Sequence, residues 1–137
     1  MAFTDLESRR FGRDLFLPEG DGVLQTAAGD WPHIEGRPNL HASIRRRMAT
    51  SPGRLTHRPE YGAGLQDYLE VASKPAVRSK MANRAAQNAR QDPRIRHATA
   101  TAALGVPGDT SVPDTVTIEM RIQPQTDDVQ ELTVIVE

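Results

Sequence analysis

The sequence predicts an α+β fold, with two to three helices packed on a C-terminal antiparallel β-meander and short extended segments on the N-terminal side. Three observations carry that prediction. Leu40, Ile44 and Met48 recur every fourth residue, and Val77, Met81, Ala85 and Ala89 do so again, which lays an apolar stripe along each of two helices. Val116, Ile118, Met120 and Ile122 instead alternate with Thr117, Glu119, Arg121 and Gln123, the two-residue period of a half-buried strand. Helical patterns precede extended ones in the chain, the segregation expected of helices gathered on one side of an antiparallel sheet.

Taken in order, residues 1–10 are polar and charged and read as an N-terminal arm, ahead of a single domain over 11–137. From Phe11 to Gly36, glycine, proline and aspartate punctuate short apolar pieces, Asp14-Leu15-Phe16-Leu17 and Val23-Leu24-Gln25-Thr26, which predicts short strands joined by turns. Asn39, following Pro38, is the expected N-cap of the first helix, which Pro52 stops near Ser51. Next comes Arg54 to Leu69, a stretch with Pro59, Gly62 and Gly64 that reads as a shaped loop, with Tyr61, Leu65 and Tyr68 as its anchors to the core. Gly64 to Val71 predicts a helical turn or two, and Pro75 opens a second full helix that Pro93 ends. Ile95–Leu104, Val116–Gln123 and Leu132–Val136 are the expected strands, with turns through Gly105–Asp109 and Pro124–Asp128.

Composition narrows the function classes. A chain of 137 residues suffices for one core, and at 4% aromatic content that core must be mainly aliphatic and alanine-built. The absence of cysteine removes disulfides, thiol catalysis and thiolate metal sites. No apolar run approaches the ~20 residues that span a bilayer, and the first residues lack the apolar core of a secretory signal, so a soluble protein made in the cytoplasm is expected. The net charge is −1, with arginine concentrated between Arg45 and Arg96 and acidity after Asp109, a distribution suited to contact with charged protein neighbours. Arg45, Arg46 and Arg47 lack the interleaved aromatics of a nucleic-acid platform, so no nucleic-acid partner is expected.

Catalytic patterns are thin. His33, His41, His57 and His97 lack ligand spacing, which predicts no metal and no cofactor. No nucleophile elbow, phosphate-binding loop or dinucleotide fingerprint is present. Glu60, Asp67 and Glu70 offer the paired carboxylates of a glycoside hydrolase, but nothing in the sequence buries one of them in apolar surroundings. Asp92-Pro93-Arg94, between helix and meander, is the more pointed feature. An extended chain there would present both charges on one side, as an internal clamp or as a docking point.

The order of features resembles the gene-25-like baseplate wedge family of contractile phage tails, to which the type VI secretion baseplate subunit also belongs. The resemblance runs over about 11–137. It rests on Gly12-Arg13-Asp14-Leu15, Gly53-Arg54-Leu55, the run Arg58-Pro59-Glu60-Tyr61-Gly62-Ala63-Gly64-Leu65, and Asp92-Pro93-Arg94-Ile95, where the family usually has Glu-Pro-Arg. It implies a structural, non-enzymatic subunit of the virion tail baseplate, assembled in the host cytoplasm. Larger wedge proteins and the tail sheath protein would be its partners, with tube or hub proteins nearby and no membrane or small-molecule substrate. Asp92, Pro93 and Arg94 would meet the wedge core. The strands carrying Val116, Ile118, Met120, Ile122, Leu132, Val134 and Val136 would pair with sheath strands and start sheath assembly. The family has also been called lysozyme-like, which makes a peptidoglycan hydrolase the alternative.

Overall fold

The structure is a computed structural model that describes residues 9–16, 25–108, 114–125 and 128–137. Most of the N-terminal arm, the Val23-Leu24 piece, Asp109 and the Thr126-Asp127 part of the last connection lie outside the described residues. The architecture is the expected α+β arrangement, in two compact units, 1–43 and 44–137.

In the first unit, β1 (Arg13–Leu15) pairs antiparallel with β2 (His33–Glu35), and Asp14 stands opposite Ile34. Gln25 and Thr26 are not a strand. Thr26 closes a tight loop by donating its N–H to the Asp30 carbonyl and accepting from Gly29, each at 2.8 Å. The partner of β1 is a three-residue strand too short to show a period.

Helix α1 (Gly36–Ala49) starts three residues before the expected cap, with Pro38 in its first turn, where its missing N–H is harmless. Asn39 lies inside the helix and does not cap it; its side-chain amide donates to the Phe11 carbonyl at 2.9 Å, and both residues are buried.

In the second unit, a 3₁₀ helix (Leu65–Val71) precedes α2 (Pro75–Arg90), and β3 (Ile95–Leu104), β4 (Val116–Pro124) and β5 (Gln130–Val136) form the meander in the order β3-β4-β5. The register puts Ala98, Ala100 and Ala102 opposite Ile122, Met120 and Ile118, and sets Leu132 and Val134 beside Met120 and Ile118. These residues share one face, and most are buried. The opposite face carries Thr99, Thr101, Glu119, Arg121, Glu131 and Thr133, all exposed. Helix α2 packs on the sheet over β3. Its Ala82, Ala85, Ala86 and Ala89 are buried and face a strand that is itself built of alanines, so the helix axis approaches the sheet closely.

Which backbone groups remain free follows from the ladder. The Gln125 N–H donates to the Arg94 carbonyl at 3.0 Å, and a bulge between Ile95 and His97 then shifts the alternation by one residue. Ala98, Ala100 and Ala102 therefore turn their N–H and C=O groups away from β4. Consistently, the Ala98 carbonyl accepts from Arg90 Nε and Nη2 at 3.1 and 2.8 Å. By the same alternation Glu131, Thr133 and Ile135 face the outer edge of β5, where the Thr133 carbonyl lies 3.5 Å from Arg45 Nη2.

The alanine interface makes a direct prediction. Ala85 is fully buried, so Ala85→Leu should lower the unfolding free energy by about 1–3 kcal/mol through overpacking. Urea denaturation followed by circular dichroism measures it.

Candidate partner-binding site

The loop from Thr50 to Leu65 folds back across the C-terminal end of α1, where the last carbonyls of a helix have no partner of their own. Ala63 donates its N–H to the Arg47 carbonyl at 3.0 Å, and Gly64 donates to the Thr50 carbonyl at 2.9 Å. The Ala63 carbonyl in turn accepts from Arg84 Nε of α2, so one buried alanine is held from both helices. This close crossing requires Gly62. A Cβ there would stand 2.0 Å from the Thr50 carbonyl oxygen, and its φ of 107° is left-handed territory. Gly64, at φ 58°, turns the chain into the 3₁₀ helix, whose first residue, Leu65, is buried.

With the loop fixed, two guanidiniums lie close to the Tyr61 ring. Arg47 lies 4.4 Å from the ring centroid and Arg58 lies 4.9 Å from it. Arg47, Arg58 and Tyr61, together with His57, Pro59, Glu60 and Gln91, line an open cleft of about 400 Å³.

Asp92 and Arg94 are brought together, but through a turn rather than an extended chain. The Ile95 N–H donates to the Asp92 carbonyl at 3.0 Å, closing the turn around Pro93. Arg94 donates to Asp92 Oδ1 from its backbone N–H and from Nε, each at 2.9 Å, and to Oδ2 from Nη2 at 2.6 Å. The Asp92 carboxylate is buried, whereas the Arg94 side chain keeps 27% of its surface. Burial pushes the Asp92 carboxyl up, but the hydrogen bonds from Arg94, its charge and the charge of Arg47 together outweigh burial and hold it below its ordinary value. The side-chain hydrogen bond to Asp92 is the main reason the Arg94 guanidinium is held more firmly protonated.

The other sequence-marked residues are placed unevenly. Arg54, Pro59, Glu60 and Pro93 are exposed. Val116, Ile118, Met120 and Ile122 sit on the central strand, which is paired on both sides, so their backbones are not at an edge. Leu132, Val134 and Val136 turn their backbone groups towards β4 and their side chains into the core. The edge positions are their neighbours Glu131, Thr133 and Ile135, and on β3 Ala100 and Ala102. Glu60, Asp67 and Glu70 are all exposed, which is not the apolar burial a general acid needs. Among the described residues no three His, Asp or Glu side chains gather as a metal site, and no helix is long and apolar enough to cross a membrane. Arg47 is the residue sequence reasoning undervalued. It read only as one of a run of three arginines, yet it is buried; its only signal was its place one residue before the buried Met48 in the Leu40-Ile44-Met48 stripe.

No family model and no curated protein matches the chain. Solved structures that share its fold include the following two. The crystal structure of a proposed tail lysozyme from Geobacter sulfurreducens aligns with a TM-score of 0.59 at 19% identity, covering 85% of this chain and 97% of that one. A chain in the six-fold symmetrised cryo-electron microscopy structure of the anti-feeding prophage baseplate aligns with a TM-score of 0.58 at 15% identity, covering 96% of this chain and 90% of that one. At these identities the likeness is one of fold.

Two predictions follow from the geometry. Gly62→Ala should cost at least about 2 kcal/mol of stability, from the contact with Thr50 and the left-handed backbone together, whereas Gly53→Ala, which meets open space, should cost about 1 kcal/mol. Thermal unfolding of the two variants separates the terms.

Asp92→Asn should cost about 2–3 kcal/mol near neutral pH, short of the full cost of breaking a buried pair because Arg94 is partly solvated. Because the folded carboxyl lies below its unfolded value, roughly 3.9, the stabilisation is complete above that value and disappears as pH falls through the folded one. Urea titrations at a series of pH values should therefore show the gap between wild type and Asp92→Asn steady from roughly pH 5 to 8 and closing below roughly pH 4.

Proposed function

We propose that this chain is a non-enzymatic structural subunit of a contractile-tail baseplate, of the gene-25-like wedge type, joining the wedge core to the first sheath ring. The observation that carries the reading is the whole-chain likeness to a component of the anti-feeding prophage baseplate, covering 96% of this chain. The motif run Arg58–Leu65, now seen as the loop that locks two helices together, adds to it.

In this reading the Asp92-Pro93-Arg94 turn meets the wedge core. Pro93 is exposed at its tip, and Arg94 braces it through its bonds to Asp92. Sheath attachment is strand addition at an outer edge of the meander, where unpaired N–H and C=O groups offer about 1 kcal/mol net per hydrogen bond, multiplied around a ring by avidity. The buried side chains of Val116, Ile118, Met120, Ile122, Leu132, Val134 and Val136 hold the sheet that presents those edges. Larger wedge proteins and the sheath protein are the partners, with tube or hub proteins adjacent. The location is the tail baseplate, assembled in the host cytoplasm.

The test is a proline at the edges. The Thr133 N–H points outward, so Thr133→Pro removes no bond of the β4–β5 ladder but blocks an incoming strand. Ala102→Pro does the same on β3. We expect both variants to fold, and at least one to leave baseplates that fail to polymerise sheath in a reconstitution viewed by electron microscopy. Normal sheath on both would overturn the strand-addition step.

The lysozyme name on one structural neighbour keeps a hydrolase as a second reading. Purified protein incubated with peptidoglycan separates the two. Glycan release above the buffer control that is lost in Glu60→Gln would replace the structural reading.

A further inference from the structure

Arg47 lies almost wholly inside the second unit. It is 6% exposed, and among the described residues no hydrogen-bond acceptor serves its guanidinium, whose nitrogens keep a little solvent contact. Its neighbours are the face of Tyr61 and the charge of Asp92, and both Asp92 carboxylate oxygens are engaged by Arg94. A buried guanidinium ordinarily finds acceptors for its fan of N–H donors. This one instead lines the cleft formed with His57, Arg58, Pro59, Glu60 and Gln91, and Arg58 stacks on the same tyrosine.

We propose that this cleft is a docking site for a single acidic side chain, a glutamate or aspartate on a partner polypeptide, whose carboxylate bridges Arg47 and Arg58 beside the Tyr61 ring. The chemistry on the page selects a carboxylate. Two guanidiniums fixed by one aromatic ring are pre-positioned donors, and charge-assisted bonds to a planar oxyanion suit their fork geometry. Gln91 and His57 add further polar groups to the wall. A nucleic-acid backbone presents a row of phosphates and needs a row of cations, whereas this cleft is lined by two guanidiniums and has Glu60 in its wall. Glu60 shares the cleft wall and makes no ion pair among the described residues, so it is the internal rival for the same guanidiniums. The cleft would take such a residue in any assembly, baseplate or not.

The probe is the capped tripeptide acetyl-Gly-Glu-Gly-amide, whose only carboxylate is the glutamate side chain, with acetyl-Gly-Gln-Gly-amide as its neutral twin. The full chain, labelled with nitrogen-15, is titrated with each while the Nε–Hε resonances of Arg47 and Arg58 are followed by NMR. Saturable shifts at both arginines are expected with the glutamate peptide, and binding at least about tenfold weaker with the glutamine peptide. Arg58→Gln, a change at an exposed residue, should weaken binding about fivefold to tenfold, and Glu60→Gln should tighten it about twofold. Equal shifts with the two peptides, no saturation, or full affinity in Arg58→Gln would each overturn the proposal. So would a twelve-base-pair DNA duplex that shifts the same resonances at lower concentration than the peptide.

Discussion

The second unit depends on one close passage, the backbone of Gly62 against the carbonyl of Thr50. Because no side chain intervenes, the next two N–H groups reach the end of α1 and satisfy the carbonyls of Arg47 and Thr50. That contact places Ala63 where Arg84 of α2 can hold its carbonyl, and it places Tyr61 over Arg47. Arg47 in turn contributes to the field that keeps Asp92 ionised, and Asp92 bonded to Arg94 shapes the turn that launches β3. Loop, ring stack, ion pair and strand entry are thus consecutive links. A side chain at position 62 would disturb all of them through the first.

Arginine has a different part here from the one its charge suggests. Arg78 donates to the carbonyls of Ala72 and Ser73, Arg84 to Ala63, and Arg90 to Ala98. Their guanidiniums are bonded to the protein as well as partly solvated. Each guanidinium satisfies a backbone carbonyl that regular structure leaves over, at a helix entry, in the loop or on a strand edge, while its stem covers apolar surface. With so few aromatics to fill gaps, a core of alanines lets helix and sheet approach closely, and the arginines fasten the borders where alanine has nothing to offer.

The helices and strands were legible because their periods are long. The α2 boundaries and all three meander strands fall within a few residues of where Pro75, Pro93 and the valine-isoleucine alternation put them. The paired strands β1 and β2 were less so, since three residues cannot show a period and their pairing is set by tertiary contact. Asn39 was misplaced as a cap because the propensity of asparagine for helix starts is local, whereas its amide is claimed by the Phe11 carbonyl 28 residues away. At the site, the Asp92–Arg94 partnership was readable from spacing, but its turn geometry was not. Pro93 excludes helix at Asp92 in the usual case, and the turn instead draws on Asp92 accepting from the Arg94 backbone.

The same geometry bears on why no described residue accepts a hydrogen bond from Arg47. The charge of Asp92 acts on Arg47, but Arg94 reaches that carboxylate over a two-residue turn and occupies both oxygens in a fork, the arrangement with the least orientational freedom to lose. Arg47 is left with long-range attraction and an aromatic face. A cation–π contact of about 1 kcal/mol does not replace the several hydrogen bonds that a guanidinium makes in water. Its nitrogens keep only the solvent contact that the cleft allows, and the helix and loop around it are fixed by Gly62, Ala63 and Arg84. A donor group held in place by a rigid frame is one that an incoming carboxylate can meet without rearranging the fold, which is the physical requirement for a preformed contact point.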